Sequence, residues 1–236
     1  MNTDELRTAF TRGQVLEDRI AQFQRARIDL IADRQGPVDM GGGPKLVVHA
    51  LPLVSFADPP AVPFRYGEVL QSPLGGGNYN QMHTLEGPVT YGFRGTTISR
   101  YTLHFRNGIL EGVTDCAPDI QTNSIPLTAV EATIARAVSD HLKYWNQRGI
   151  GPPYFLFVSI LFAEGYLGVS QSTWSDEGVR VKRRHLLLPS QVITQSEGIH
   201  NIETLLRPTF DLLWNGFGYA GSVNFDEHGR YRLYGH

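Results

Sequence analysis

Asn107-Gly108 stands between two extended runs, Tyr101-Thr102-Leu103-His104-Phe105 and Ile109-Leu110-Glu111-Gly112-Val113. No other feature limits the fold as strongly, because Asn-Gly between such runs is the strongest short-range hairpin signal. A two-residue turn with positive φ at both positions pairs Arg106 with Ile109, Phe105 with Leu110 and His104 with Glu111. In that register Tyr101, Leu103, Phe105 and Leu110 share the core face, and Thr102, His104, Arg106 and Glu111 share the other.

Turn punctuation runs through the rest of the chain. It holds 25 glycines and 14 prolines in 236 residues, about 17% against about 12% on average, which predicts many turns and short strands. Lys45 to Leu53 is a β-rich run closed by Pro52, and Tyr154 to Ala163 is nearly unbroken apolar sequence suited to a central strand. Tyr166 to Ser170 is its expected partner. Leu186 to Leu188 with Val192-Ile193 reads as a short buried piece. The close reads as a hairpin, Ser222 to Phe225 with Arg230 to Tyr234. Asp58 to Asn80, with four prolines and Gly75-Gly76-Gly77, reads as an ordered loop or a mobile surface segment.

Helical spacing appears three times. Leu16, Ile20, Phe23 and Leu30/Ile31 predict a helix over about 14–33, ended by Gly36-Pro37. Val130, Ile134, Val138, Leu142 and Trp145 mark a buried stripe over about 129–148, opened by a Thr128-x-x-Glu131 capping box and closed at Gly149. A third helix spans about 202–215 and is kinked or begun at Pro208. Segregated strands and helices point to an α+β fold, a mixed or antiparallel sheet with hairpins packed by about three helices. The domain reading is a connector helix over 1–35 and one domain over 36–236.

Composition removes several function classes. A net charge of −2 argues against a surface that grips nucleic acid or anionic lipid everywhere. One cysteine excludes an intramolecular disulfide framework and multi-Cys metal sites. No signal peptide and no apolar run of about 18 residues is visible, so the expected setting is cytoplasmic, away from membranes. No HExxH, GxSxG, GxGxxG or phosphate-loop sequence occurs, and no metal or cofactor is expected.

Five stretches carry a family resemblance. They are Gly43 to Phe56, Tyr101 to Val113 with its Phe-Arg-Asn-Gly turn, Pro152 through Tyr166, Leu188-Pro-Ser-Gln-Val192, and Leu206-Arg-Pro-Thr-Phe-Asp-Leu-Leu-Trp-Asn-Gly-Phe-Gly218. With them the chain resembles the C-terminal region of bacterial ATP-binding or helix-turn-helix proteins that carry a Schlafen-type AlbA_2 DNA-binding module. Arg19 to Ile28 looks like the connector that follows the module, and the module itself is not recognised here. The resemblance implies a bacterial setting in nucleic-acid-directed regulation or defence, and assigns no chemistry to this region.

Candidate residues fall into four groups. His104, Glu111 and Arg106 read either as a base oriented by a carboxylate or as a cross-strand ion pair, and the second reading is favoured. Asp115-Cys116 with Asp119 reads as acidic ligands or a reactive thiol, against a polar loop with one buried small residue. Arg180, Lys182 and Arg184 on a strand, with Arg183 between, would line up against phosphates or a protein partner, or guard a sheet edge. Arg207, Asp211 and Trp214, with Asn215, line a pocket or form a helical ion pair and cap.

The function these readings favour is a non-catalytic accessory or effector-coupling domain acting through a protein partner or self-association, with weak nucleic-acid binding possible. One alternative is a divergent hydrolase or nuclease-like enzyme using His104, Glu111 and Asp115. The other is a small-ligand sensor with its pocket between the Pro/Gly-rich loop and the third helix.

Overall fold

The structure is a computed structural model that describes residues 3–56, 70–170, 178–195 and 201–232. Residues 58–69 of the proline-rich segment, and the end of the closing hairpin at Tyr234, lie outside the described residues. The chain divides into two compact units, residues 1–39 and 40–236.

The first unit is built on one helix, α1 (Thr3–Ala32), which begins well before the periodic stripe does. Its stop is set by Arg34, not by Gly36-Pro37. Arg34 adopts φ +58°, Gln35 N–H donates to Leu30 C=O and Arg34 N–H to Ile31 C=O, a Schellman turn that satisfies the last carbonyls.

The second unit is α+β. Its strands are β1 (Lys45–Pro52), β2 (Asn80–His83), β3 (Pro88–Arg94), β4 (Thr97–His104), β5 (Leu110–Asp115), β6 (Ser124–Pro126), β7 (Tyr154–Leu161), β8 (Leu167–Val169), β9 (His185–Leu187) and β10 (Gln191–Ile193). Its helices are α2 (Leu127–Gln147) and α3 (Ile202–Asn215). Eight strands form an antiparallel sheet in the order β10-β7-β1-β5-β4-β3-β2, with β9 also on the outer edge of β7. β1 lies between β5 and β7, which explains why all eight of its residues are buried. β8 pairs in parallel with β6, not with β7 as sequence adjacency predicts.

The β4–β5 hairpin corrects the expected register. Only Gly108 has positive φ (+92°), Phe105 N–H donates to Ile109 C=O and Gly108 N–H to Phe105 C=O. This is the longer turn that leaves one glycine in the left-handed region, so His104 pairs with Leu110 and Leu103 with Glu111. A slip of one residue sends every later side chain to the opposite face. Glu111 therefore joins Tyr101, Leu103, Val47 and His49 on one face. His104, Thr102 and Arg100 join Leu110, Leu46 and Val48 on the other.

That second face packs against the helices. Val130, Ile134, Val138, Leu142 and Trp145 of α2 are all buried, as their spacing predicts. Trp145 stacks on Tyr154 of β7 at 4.4 Å and donates Nε1–H to Gly108 C=O, tying the end of α2 to the hairpin turn. The expected capping box is not used. Pro126 is the N-cap, without a side-chain bond, and Thr128 and Glu131 are engaged elsewhere. Gly149 closes the helix at φ +68°. Asn201 caps α3 by accepting from Thr204 N–H, so the helix starts well before Pro208 and carries it inside. Among the described residues the expected terminal hairpin is present as the Phe225–Tyr231 bridge, with Arg232 N–H donating to Asn224 C=O, around a turn closed by Gly229.

Candidate anion-binding cleft

The residues singled out in the sequence are dispersed by the fold. His104 and Glu111 lie on opposite faces of the sheet and cannot act on one substrate. Glu111 accepts from Tyr101 Oη–H at 2.9 Å and lies 3.0 Å from His49 Nε2, with all three side chains buried. These contacts were not anticipated, because they need the observed pairing, which sets His49 opposite Glu111 and Tyr101 on the same face two residues from Leu103, the partner of Glu111 on β4.

His104 belongs to a second buried group. Its Nε2 accepts from Gln71 N–H at 3.2 Å, its ring meets Tyr144 edge-on, and Gln71 Oε1 lies 2.6 Å from His141 Nδ1. Burial lowers His104 to about 4, opposed by backbone hydrogen bonds to Pro88 and Thr102. Burial, and next the neighbouring His104, lowers His141 to about 3. Both imidazoles are thus neutral near pH 7 and serve to hold Gln71 against α2. The adjoining cavity of about 20 Å³ has room for little more than one water.

The third group also serves the fold. Trp214 is fully buried and donates Nε1–H to Glu131 Oε1, while Glu131 Oε2 accepts from Asn224 and from Tyr231 Oη–H. Burial pushes the Glu131 carboxyl above its ordinary value, and these hydrogen bonds pull against the shift. Arg207 and Asp211 form a half-exposed ion pair at 3.7 Å. Arg207 also lies over the Phe225 ring, and Asp211 accepts from Ser222 N–H. These residues fasten α2, α3 and the C-terminal segment together.

The basic run is no strand. Arg180 donates to Gly165 C=O, Val181 is buried and Arg184 lies over the Phe162 ring, so β9 begins only at His185. Strand alternation therefore does not align Arg180, Lys182 and Arg184; Lys182 and Arg183 are exposed.

One cleft has a different character. It encloses about 170 Å³ between the far end of the sheet and the first turns of α2. Leu46, Ala117, Ala129 and Val130 supply its apolar wall, and Arg94, Arg100, Thr114 and Asp115 its polar one. Arg100 pairs in register with Gly92 and Thr114, next to a bulge where Ser99 has no opposite residue. Bulges bend a strand and re-aim its side chains. The guanidinium lies over glycine on two sides: a Cβ at Gly92 would stand 2.7 Å from Nε, and one at Gly77 2.8 Å from Nη2. Arg94 is engaged, its Nη2 2.9 Å from Asp115 Oδ1. Arg100 is not. Its Nε is buried without a hydrogen bond, and the guanidinium has no ion pair among the described residues.

Cys116 lines the same cleft, and burial pushes its thiol up to about 12, so it is protonated and inert as a nucleophile at neutral pH.

No family model, curated protein or solved structure matches this chain. Its functional reading therefore rests on the residues themselves. Among the described residues, no group of three or more His, Cys, Asp or Glu side chains is placed to hold a metal ion. No described helix is long and apolar enough to cross a membrane. Neither Arg100 nor Arg94 carried a signal in the sequence. Gly75-Gly76-Gly77 did, but as part of a loop, and the guanidinium slot appears only when the register sets Gly92 beside Arg100.

Proposed function

We propose that residues 40–236 form a non-catalytic domain that binds a small anion in the Arg94–Arg100 cleft. The observation that carries this is Arg100, whose buried Nε has no hydrogen-bond partner and whose guanidinium has no ion pair among the described residues, in a cavity shaped by glycines. A charged group withdrawn from water without compensation costs stability, and such groups in native proteins are ordinarily paired. An anion would supply the missing hydrogen bonds, each worth about 1.5–3 kcal/mol for a charged group. The separation of His104 from Glu111 supports the non-catalytic side of the reading. The bacterial nucleic-acid-directed setting rests on the family resemblance, and in that setting the domain passes ligand occupancy to a protein partner.

Calorimetric titration of the whole chain with small carboxylates and inorganic phosphate tests the proposal. Binding in the millimolar range or tighter, abolished by Arg100→Gln at unchanged melting temperature, is the expected result. Absence of binding by every anion, or binding indifferent to Arg100→Gln, contradicts it.

A further inference from the structure

The cleft contains a negative group as well as positive ones, and this narrows the ligand. Resting on the anion-binding reading above, we infer that the ligand is a short carboxylic acid carrying a hydrogen-bond donor, an ammonium or hydroxyl, on the carbon next to its carboxylate. Three observations lead there.

Charge comes first. Arg94 and Arg100 against Asp115 leave the cleft one positive charge in excess. A hydroxy monocarboxylate cancels that charge, and an amino acid sets its carboxylate and ammonium against Arg100 and Asp115 in turn. A phosphate dianion overshoots it and sets its oxygens against the Asp115 carboxylate, a like-charge contact that disfavours binding.

Geometry comes second. Asp115 sets Oδ1 2.9 Å from Arg94 Nη2, and this buried oxygen accepts no hydrogen bond among the described residues. The cleft thus offers a planar guanidinium that suits a carboxylate two-pronged, and a carboxylate oxygen that suits a donor. A molecule bearing both groups on adjacent carbons satisfies both walls.

Size comes third. A volume of about 170 Å³ falls below the 300–1,000 Å³ range of drug-sized sites. It is close to the roughly 150 Å³ cavity known to take benzene, which sets the ligand at about six to ten non-hydrogen atoms. The wall formed by Leu46, Ala129 and Val130 admits a short apolar side chain.

The test uses an isosteric series on the full chain: alanine, lactate, propionate and inorganic phosphate, each titrated by calorimetry. Alanine, lactate and propionate share the carboxylate and differ only in the donor. Alanine or lactate is expected to bind at least tenfold more tightly than propionate, and phosphate more weakly than either. Asp115→Asn should remove that tenfold advantage while leaving propionate binding intact, and Arg100→Gln should abolish binding of all three acids. Propionate equal to alanine and lactate, or phosphate tighter than both, overturns the inference and leaves the anion-binding reading standing. If none of the four binds the wild-type chain, both fall. Unchanged melting temperatures of the two variants establish that altered binding reports on the cleft.

Discussion

Two charged side chains near the first turns of α2, Glu131 on the helix and Arg100 on the facing sheet, sit in opposite circumstances. Glu131 is saturated: Trp214 of α3 and Asn224 and Tyr231 of the C-terminal segment all donate to it. Arg100 receives nothing from the described residues. The first arrangement is closed, so its energy is spent within the fold. The second is open among the described residues, and on the anion-binding reading a ligand completes it. The contrast separates buried polarity that builds the structure from polarity held ready for a ligand.

The largest expected effect is at the closed end. Glu131→Ala leaves three donors unpaired and should cost roughly 3 kcal/mol in denaturant unfolding. A loss below about 1 kcal/mol would show that the network contributes little. The pH dependence has a definite sign. Burial raises the Glu131 pKa in the folded state. Its contribution is therefore present below the ordinary carboxyl range and is lost as pH rises through the folded value. Glu131→Gln cannot ionise and should lack that decline.

The histidines carry the opposite sign. Folding lowers His104 to about 4 and His141 to about 3. Below about pH 6.5 the unfolded chain takes up protons that the folded chain refuses, so stability falls as the solution is acidified toward those folded values. Each histidine contributes a slope of up to about 1.4 kcal/mol per pH unit. His141→Gln should remove one such share between pH 6 and 4, and an unchanged profile would place His141 in contact with solvent.

A smaller effect is expected at Tyr101. Tyr101→Phe removes one donor from Glu111 and should cost about 1 kcal/mol, read as a shift in the unfolding midpoint.

These contrasts also mark what the sequence made legible. The apolar stripes of α2 and α3 and the unbroken run of β7 were readable because they depend on local periodicity. The faces of β5 were not, since the choice between two turn types rests on whether Asn107 joins Gly108 at positive φ. That single difference moved Glu111 away from His104 and removed the proposed acid–base pair. Trp214 was read as lining a pocket and Glu131 as part of a capping box that the structure does not use; their bond spans 83 positions and has no local trace. Arg100 was hidden for a related reason: its slot is made by Gly92, across the bulged β3–β4 hairpin, and by Gly77, which the fold brings alongside.

The most direct test of the central claim is the stability of Arg100→Leu without ligand, measured by denaturant unfolding beside the wild type. Removing a charge that the fold does not use should leave the unfolding free energy within about 0.5 kcal/mol of wild type or raise it. A loss of about 2 kcal/mol or more would mean that Arg100 is already satisfied inside the fold, and the cleft would then have no open charge to offer.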